Sequence, residues 1–209
     1  MHRDYRLQGL HLRTESNCSA VGQMLHRTLR YKGAEATPDP EEPDVLFDFR
    51  TDRAPASLPE DSRHVDTSEH CEIEIWRASD RMVLRREKTA IGIHPDTGVA
   101  RGAINPDLPT AHARRRSPLF YLTTLSLAVL LRHHGWFPLH AAGVVRGEHG
   151  VLFPAGSGRG KSTAALSLVR DGWQCLSDDS VLLRSEDNQI RAYSYRPDFC
   201  VDPNMAAHF

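Results

Sequence analysis

The chain has 209 residues, room for one large domain or two small ones, and 40% of them are hydrophobic, which suits a packed core and excludes a disordered polypeptide. Its 26 basic and 27 acidic residues leave a net charge of -1, so no global field draws it to nucleic acid or to a membrane surface. Only three of the basic residues are lysines (Lys32, Lys88 and Lys161), which gives weight to any lysine found inside a motif.

The first residues, Met1-His2-Arg3-Asp4-Tyr5-Arg6, lack the apolar stretch of a signal peptide. The longest apolar run, Leu119 to Leu131, is interrupted by Thr123, Thr124 and Ser126 and is too short to span a bilayer, so it reads as a buried helix. Cys18, Cys71, Cys175 and Cys200 are far apart and form no CxxC pair, and the twelve histidines show no HExxH spacing. A soluble cytoplasmic protein is expected.

In chain order, Leu7 to Arg13 reads as a strand. Ser19 to Tyr31 reads as a helix, with Val21, Met24, Leu25 and Leu29 on one face. Thr37 to Pro43 is a loop, Val45, Phe47 and Phe49 mark a half-buried strand, and Thr51 to Ser68 is a second loop. Cys71 to Arg77 alternates cleanly, Ser79-Asp80 turns, and Met82 to Leu84 runs back as a hairpin. Pro95-Asp-Thr-Gly98 has the residue types of a type I turn followed by a left-handed glycine.

After Arg114-Arg-Arg116, a solvated helix approach, Ser117-Pro118 suits an N-cap with proline at the first helical position, and Gly135 stops the helix near His134. Phe137 to Arg146 reads as one strand, paired through a Gly147-Glu-His-Gly150 turn with Val151 to Phe153.

The next segment, Ala155-Gly156-Ser157-Gly158-Arg159-Gly160-Lys161-Ser162-Thr163, fits the phosphate-loop pattern [AG]xxxxGK[ST]. A short apolar strand precedes it, and a helix carrying Ala164, Ala165, Leu166, Leu168 and Val169 follows. Glycines at 156, 158 and 160 let successive backbone N–H groups turn inward around a phosphate. The helix N-terminus adds donors and partial positive charge. Lys161 is placed to reach the β- and γ-phosphates, and the Ser162 hydroxyl to ligate Mg²⁺.

Trp173 to Leu176 then reads as a strand running into Ser177-Asp178-Asp179-Ser180. A parallel β-loop-α-β unit would put these carboxylates on the strand next to the phosphate loop. There one carboxylate can hold Mg²⁺ and the other can take a proton from an attacking hydroxyl. Which does which stays open. His140 by its spacing alone is a half-buried side chain, and His149 a turn residue.

Leu139-His-Ala-Ala-Gly-Val-Val145, the phosphate loop and Leu176-Ser-Asp-Asp-Ser-Val181 together resemble the kinase domain of the HPr kinase/phosphorylase family, over residues 118 to 200. That resemblance implies a P-loop α/β domain with a mixed sheet, similar to the fold of phosphoenolpyruvate carboxykinase. It also implies ATP- and Mg²⁺-dependent transfer of a phosphoryl group to a serine of a protein or peptide. It puts the triphosphate on the Gly156–Ser162 loop, makes Asp178 the general base, brings Asp179 with Ser162 into the metal site, and sets His140 near the transferring phosphoryl group. Two positions depart from the family pattern. Thr163 stands where HPr kinases usually carry a metal-supporting glutamate, and Ala155 replaces the usual first glycine.

The expected organisation is an α+β N-terminal module over 1–112 with no assigned role, then a P-loop kinase-like domain over 113–209 that ends before the family's domain does. The alternative is a nucleotide-binding regulatory module with weak or no catalysis. A small-molecule P-loop kinase ranks below both. A nucleotide and a serine-bearing protein or peptide are the expected partners, with no nucleic acid or membrane, and a homo-oligomer is left open.

Overall fold

The computed structural model describes residues 1–39, 41–55, 57–68, 71–108, 117–156 and 158–195. Arg114, Arg115, Arg116, Ser157 and Cys200 lie outside the described residues. The protein is a mixed α/β chain that divides into two units, Met1–His134 and Gly135–Phe209.

The first unit is built on one mixed sheet. Its strands are β1 (His2–Leu7), β2 (Leu10–Ser16), β3 (Glu35–Ala36), β4 (Val45–Arg50), β5 (Arg63–Ser68), β6 (Ile73–Arg77), β7 (Met82–Arg86), β8 (Thr89–His94) and β9 (Val99–Ala103). They lie in the order β3-β1-β2-β4-β9-β8-β7-β6-β5. The pairs β2–β4 and β4–β9 are parallel, and the others are antiparallel. Helix α1 (Ser19–Tyr31) has the bounds its periodicity predicts. It packs on β2, helix α2 (Pro118–His133) packs on β8, and the two helices touch, so both cover one face of the sheet. Tyr31 and Phe120 meet edge to face across that helix contact, with ring centroids 5.6 Å apart. Leu25, Leu29, Phe47, Phe49, Ile91, Ile93, Leu119 and Leu122 are fully buried and form the core.

Several expectations change here. The strand placed at Leu7 to Arg13 is two strands around a Gln8-Gly9 turn, both residues having positive φ (51° and 82°). The loop placed at Thr51 to Ser68 contains β5. This edge strand is exposed along nearly its whole length, so it shows no alternation of apolar residues. Helix α2 belongs to the first unit rather than to a domain starting at residue 113, because its leucines fill that unit's core. Ser117 occupies the N-cap position but makes no side-chain cap hydrogen bond. No helix among the described residues is long and apolar enough to cross a membrane.

The Pro95–Thr97 turn ends as its residue types predict, with Gly98 left-handed at φ 68°. A Cβ at that position would come within 2.1 Å of the Asp44 carbonyl oxygen. Gly98→Ala therefore meets both the left-handed penalty of about 1–2 kcal/mol and a backbone clash. It is expected to cost at least about 2 kcal/mol in a denaturant melt.

Asp48, in the middle of β4, is 6% exposed. Burial alone would raise its carboxyl, but hydrogen bonds from Arg50 and Arg53 outweigh that and hold it below the usual 3.8. A depressed folded value stabilises the protein above pH 3.8, and that contribution is lost as the pH falls through the folded value. Thermal melts between pH 5 and pH 2 should show a slope that Asp48→Asn reduces.

The second unit holds two three-stranded sheets and one helix. Strands β11 (Ala141–Arg146), β12 (His149–Pro154) and β13 (Gln174–Ser177) form one sheet in the order β12-β11-β13. Strands β10 (Phe137–Leu139), β14 (Val181–Glu186) and β15 (Gln189–Ser194) form the other, in the order β10-β14-β15. Helix α3 (Lys161–Arg170) packs on the first of these sheets, where Ala165 meets Ala142 and Val144 with Val151, Phe153 and Leu168 around them. The final hairpin turns at Asp187-Asn188, both with positive φ.

Candidate functional site

The phosphate-loop segment connects β12 to α3. Gly158 and Gly160 are left-handed at φ 74° and 82°, a conformation in which a side chain would be strained, and Gly160 is the N-cap of α3. Lys161 is the first helical residue, and Ser162 and Thr163 follow in the first turn. The Lys161 ammonium donates to the Gly156 carbonyl at 3.0 Å, so the lysine folds back over its own loop. Ala155 is half-buried, while Gly156 and Arg159 are exposed.

The strand expected over Phe137 to Arg146 is broken at His140. Residues Phe137–Leu139 pair with β14 in one sheet, and Ala141–Arg146 pair with β12 and β13 in the other. His140 is the crossing point. Its Nε2 lies 3.2 Å from the Lys161 ammonium, which can only donate, so Nε2 accepts and the ring proton sits on Nδ1. Nδ1 faces Asp179 Oδ1 at 3.5 Å.

The aspartates sit at a second crossing. β13 ends at Ser177 in the sheet of β11, β14 starts at Val181 in the other sheet, and Asp178-Asp179-Ser180 connect them. The Ser177 hydroxyl donates to the Ser180 carbonyl at 2.7 Å and accepts the Ser180 N–H at 3.2 Å and the Asp179 N–H at 3.4 Å. This closes the loop in one shape. The Ser180 hydroxyl donates to Asp179 Oδ2 at 3.2 Å, leaving Oδ1 toward His140. Asp178 is buried, while the Asp179 side chain is 37% exposed.

The strand arrangement differs from a simple parallel β-loop-α-β pair. β13 pairs with β11 and not with β12, so β11 lies between the loop strand and the aspartate strand. β12 and β13 each run antiparallel to β11 and therefore parallel to each other, which brings both C-terminal ends to one edge. The start of β11, with His140 before it, occupies the gap at that edge: Ala141 pairs with Pro154, and Gly143 with Ser177. The inserted strand is what makes His140 the middle of an Asp179–His140–Lys161 line.

The sequence reading missed Ser177 and Ser180 as positioning residues. Serines flanking a turn are the available signal, because their hydroxyls bond nearby backbone groups. His149 pairs with Arg146 in the β11–β12 hairpin and takes no part in this line. Desolvation, and the Asp178 carboxylate beside it, push the Cys175 thiol up. Cys18, Cys71 and Cys175 are free thiols.

Among the described residues no group of three or more His, Cys, Asp or Glu side chains gathers as a metal site. Mg²⁺ beside a nucleotide needs fewer protein ligands, since phosphates and water fill most of its positions. Ser162 in the first turn of α3 and the half-exposed Asp179 carboxylate are a hydroxyl and a carboxylate of the type it takes, so the residues fit.

Comparison with known proteins gives no match: no family model, no curated protein and no solved structure.

Proposed function

We propose that the second unit binds ATP with Mg²⁺ and transfers the γ-phosphoryl group to a serine hydroxyl of a protein or peptide, as the resemblance to HPr kinase implies. One observation supports this most: residues from three separate motifs form a continuous polar line. Lys161 bonds His140 at 3.2 Å, and His140 faces Asp179 at 3.5 Å. Phosphoryl transfer uses a lysine on the phosphates and a carboxylate at the metal, and this line brings one of each together.

In this reading the backbone N–H groups of the loop and the first turn of α3 take the phosphates. Lys161 leaves the Gly156 carbonyl and moves onto the β- and γ-oxygens. Ser162 and Asp179 would hold the Mg²⁺, which when bound neutralises charge on those oxygens. His140 accepts from Lys161 and keeps the ammonium directed across the loop. Asp178 takes the proton of the acceptor serine. The serine oxygen forms a bond to the γ-phosphorus as the bond to the β–γ bridging oxygen breaks, giving phosphoserine and ADP.

Calorimetry with MgATP, followed by γ-³²P transfer to serine-containing peptides, tests the proposal. Binding with transfer supports it, and no binding overturns it. Binding without transfer or hydrolysis supports the regulatory module instead, a reading favoured by Thr163. This exposed residue of the first helical turn offers a hydroxyl where the family carries a carboxylate.

A further inference from the structure

The first unit carries a separate pocket of about 250 Å³ on the sheet. Strand register places Glu15, Asp48, Arg101, Gly92, Val83 and Trp76 in one row across β2, β4, β9, β8, β7 and β6. Gly92 is the gap in that row, between Arg101 and Val83. With Ala90 and Ala103, it gives the pocket a floor of small residues. Arg53, Ser57, Arg81 and His94 also line the pocket.

The polar lining is Arg53, Arg81, Arg101 and His94 with the Ser57 hydroxyl, and no carboxylate among the described residues lines it. The acidic partners hold only part of each guanidinium. Arg101 donates through Nε to Asp48 Oδ2 at 3.1 Å, and Arg53 donates through one Nη to the same oxygen at 3.1 Å. Arg81 donates through Nε to Asp80 at 2.9 Å. The Nη groups of Arg81 and Arg101 make no hydrogen bond among the described residues. Two guanidiniums brought onto one carboxylate oxygen, with a third across a floor of small residues, make a set of fixed forks suited to an oxyanion.

We propose that this pocket binds a small molecule through its phosphate or carboxylate group, held by Arg53, Arg81 and Arg101 over Gly92. The volume suits a small metabolite rather than a nucleotide. The site is independent of the phosphate loop.

The test uses the full chain labelled with ¹⁵N, at low ionic strength, following arginine Nε–H signals during titration with inorganic phosphate and, separately, with succinate. Saturable shifts of the Arg81 and Arg101 signals are expected with at least one of them, and the anion that saturates first identifies the group. Arg81→Gln, which leaves the Asp48 cluster intact, should weaken binding roughly tenfold. Gly92→Val should abolish it by filling the floor. A Cβ at Gly92 makes only ordinary contact, 3.6 Å from His94 Nε2, and valine suits a strand. In Lys161→Ala the Arg81 and Arg101 shifts should saturate as in the parent even where phosphate binding at the loop is weakened, which separates the two sites. Absence of saturation with both anions overturns the proposal, as does parental affinity in Arg81→Gln. Should Gly92→Val fail to fold, Arg81→Gln decides alone.

Discussion

Lys161→Ala is expected to weaken MgATP binding about 10- to 150-fold, the value of one charge-assisted hydrogen-bond set of about 1.5–3 kcal/mol. Calorimetry on the purified variant measures it directly. Lys161 is 9% exposed, and among the described residues its ammonium meets the Gly156 carbonyl and His140 Nε2. Alanine is a good helix former at this first helical position, and both partners lie at the exposed surface, where water replaces the lost contacts. The melting temperature should therefore shift little while binding falls. Unchanged MgATP affinity in a folded variant would remove the phosphate loop from the nucleotide site and with it the proposed activity. His140→Ala provides the graded comparison: it removes one of the two lysine contacts and leaves the loop carbonyl in place, so its effect on binding should be smaller.

Asp178→Asn is expected to lower phosphoryl transfer about 10²- to 10⁴-fold, the usual contribution of a positioned general base, with MgATP affinity nearly unchanged. The substitution keeps the shape of the side chain and removes its ability to take a proton. Asp179→Asn should behave differently. Its carboxylate faces His140 at 3.5 Å and accepts from Ser180 at 3.2 Å, so loss of its charge should raise the Mg²⁺ concentration needed for half-maximal activity. Single-turnover transfer measured across a magnesium titration separates the two roles. If Asp178→Asn shifts the magnesium dependence and Asp179→Asn lowers the rate at saturating magnesium, the assignments exchange. Full transfer in Asp178→Asn eliminates that residue as the base.

These two predictions rest on residues that belong to one short stretch each, and such stretches are what a sequence displays best. The glycine turn before α3 is legible because its backbone is local: glycines at 158 and 160 adopt left-handed backbone, and the lysine follows at the helix start. Helix α1 is legible from its apolar spacing, and the Gly98 turn from its residue types. The aspartate pair is legible only as a pair. Its function as a loop depends on Ser177, whose hydroxyl closes the turn through three hydrogen bonds that no periodicity announces.

What the amino-acid order determined by itself was the set of local structures: the glycine turn at the start of α3, the β11–β12 hairpin that feeds it, the two long helices and the identity of the charged groups. What only the tertiary structure decided was which of these meet. His140 reads as the middle of one strand, yet it separates two strands that pair in different sheets, because β10 finds β14 and β11 finds β13. Strand partners are chosen by non-local hydrogen bonds and by the apolar face each strand must bury, neither of which is written near the residue concerned. The same reason moves α2 into the first unit, where the core takes its leucines. The near-balanced charge noted at the outset likewise concealed a local arrangement. On one sheet face, three arginines line a pocket that no carboxylate among the described residues lines. A total charge is a sum over the chain, and only folding determines which of its members stand together.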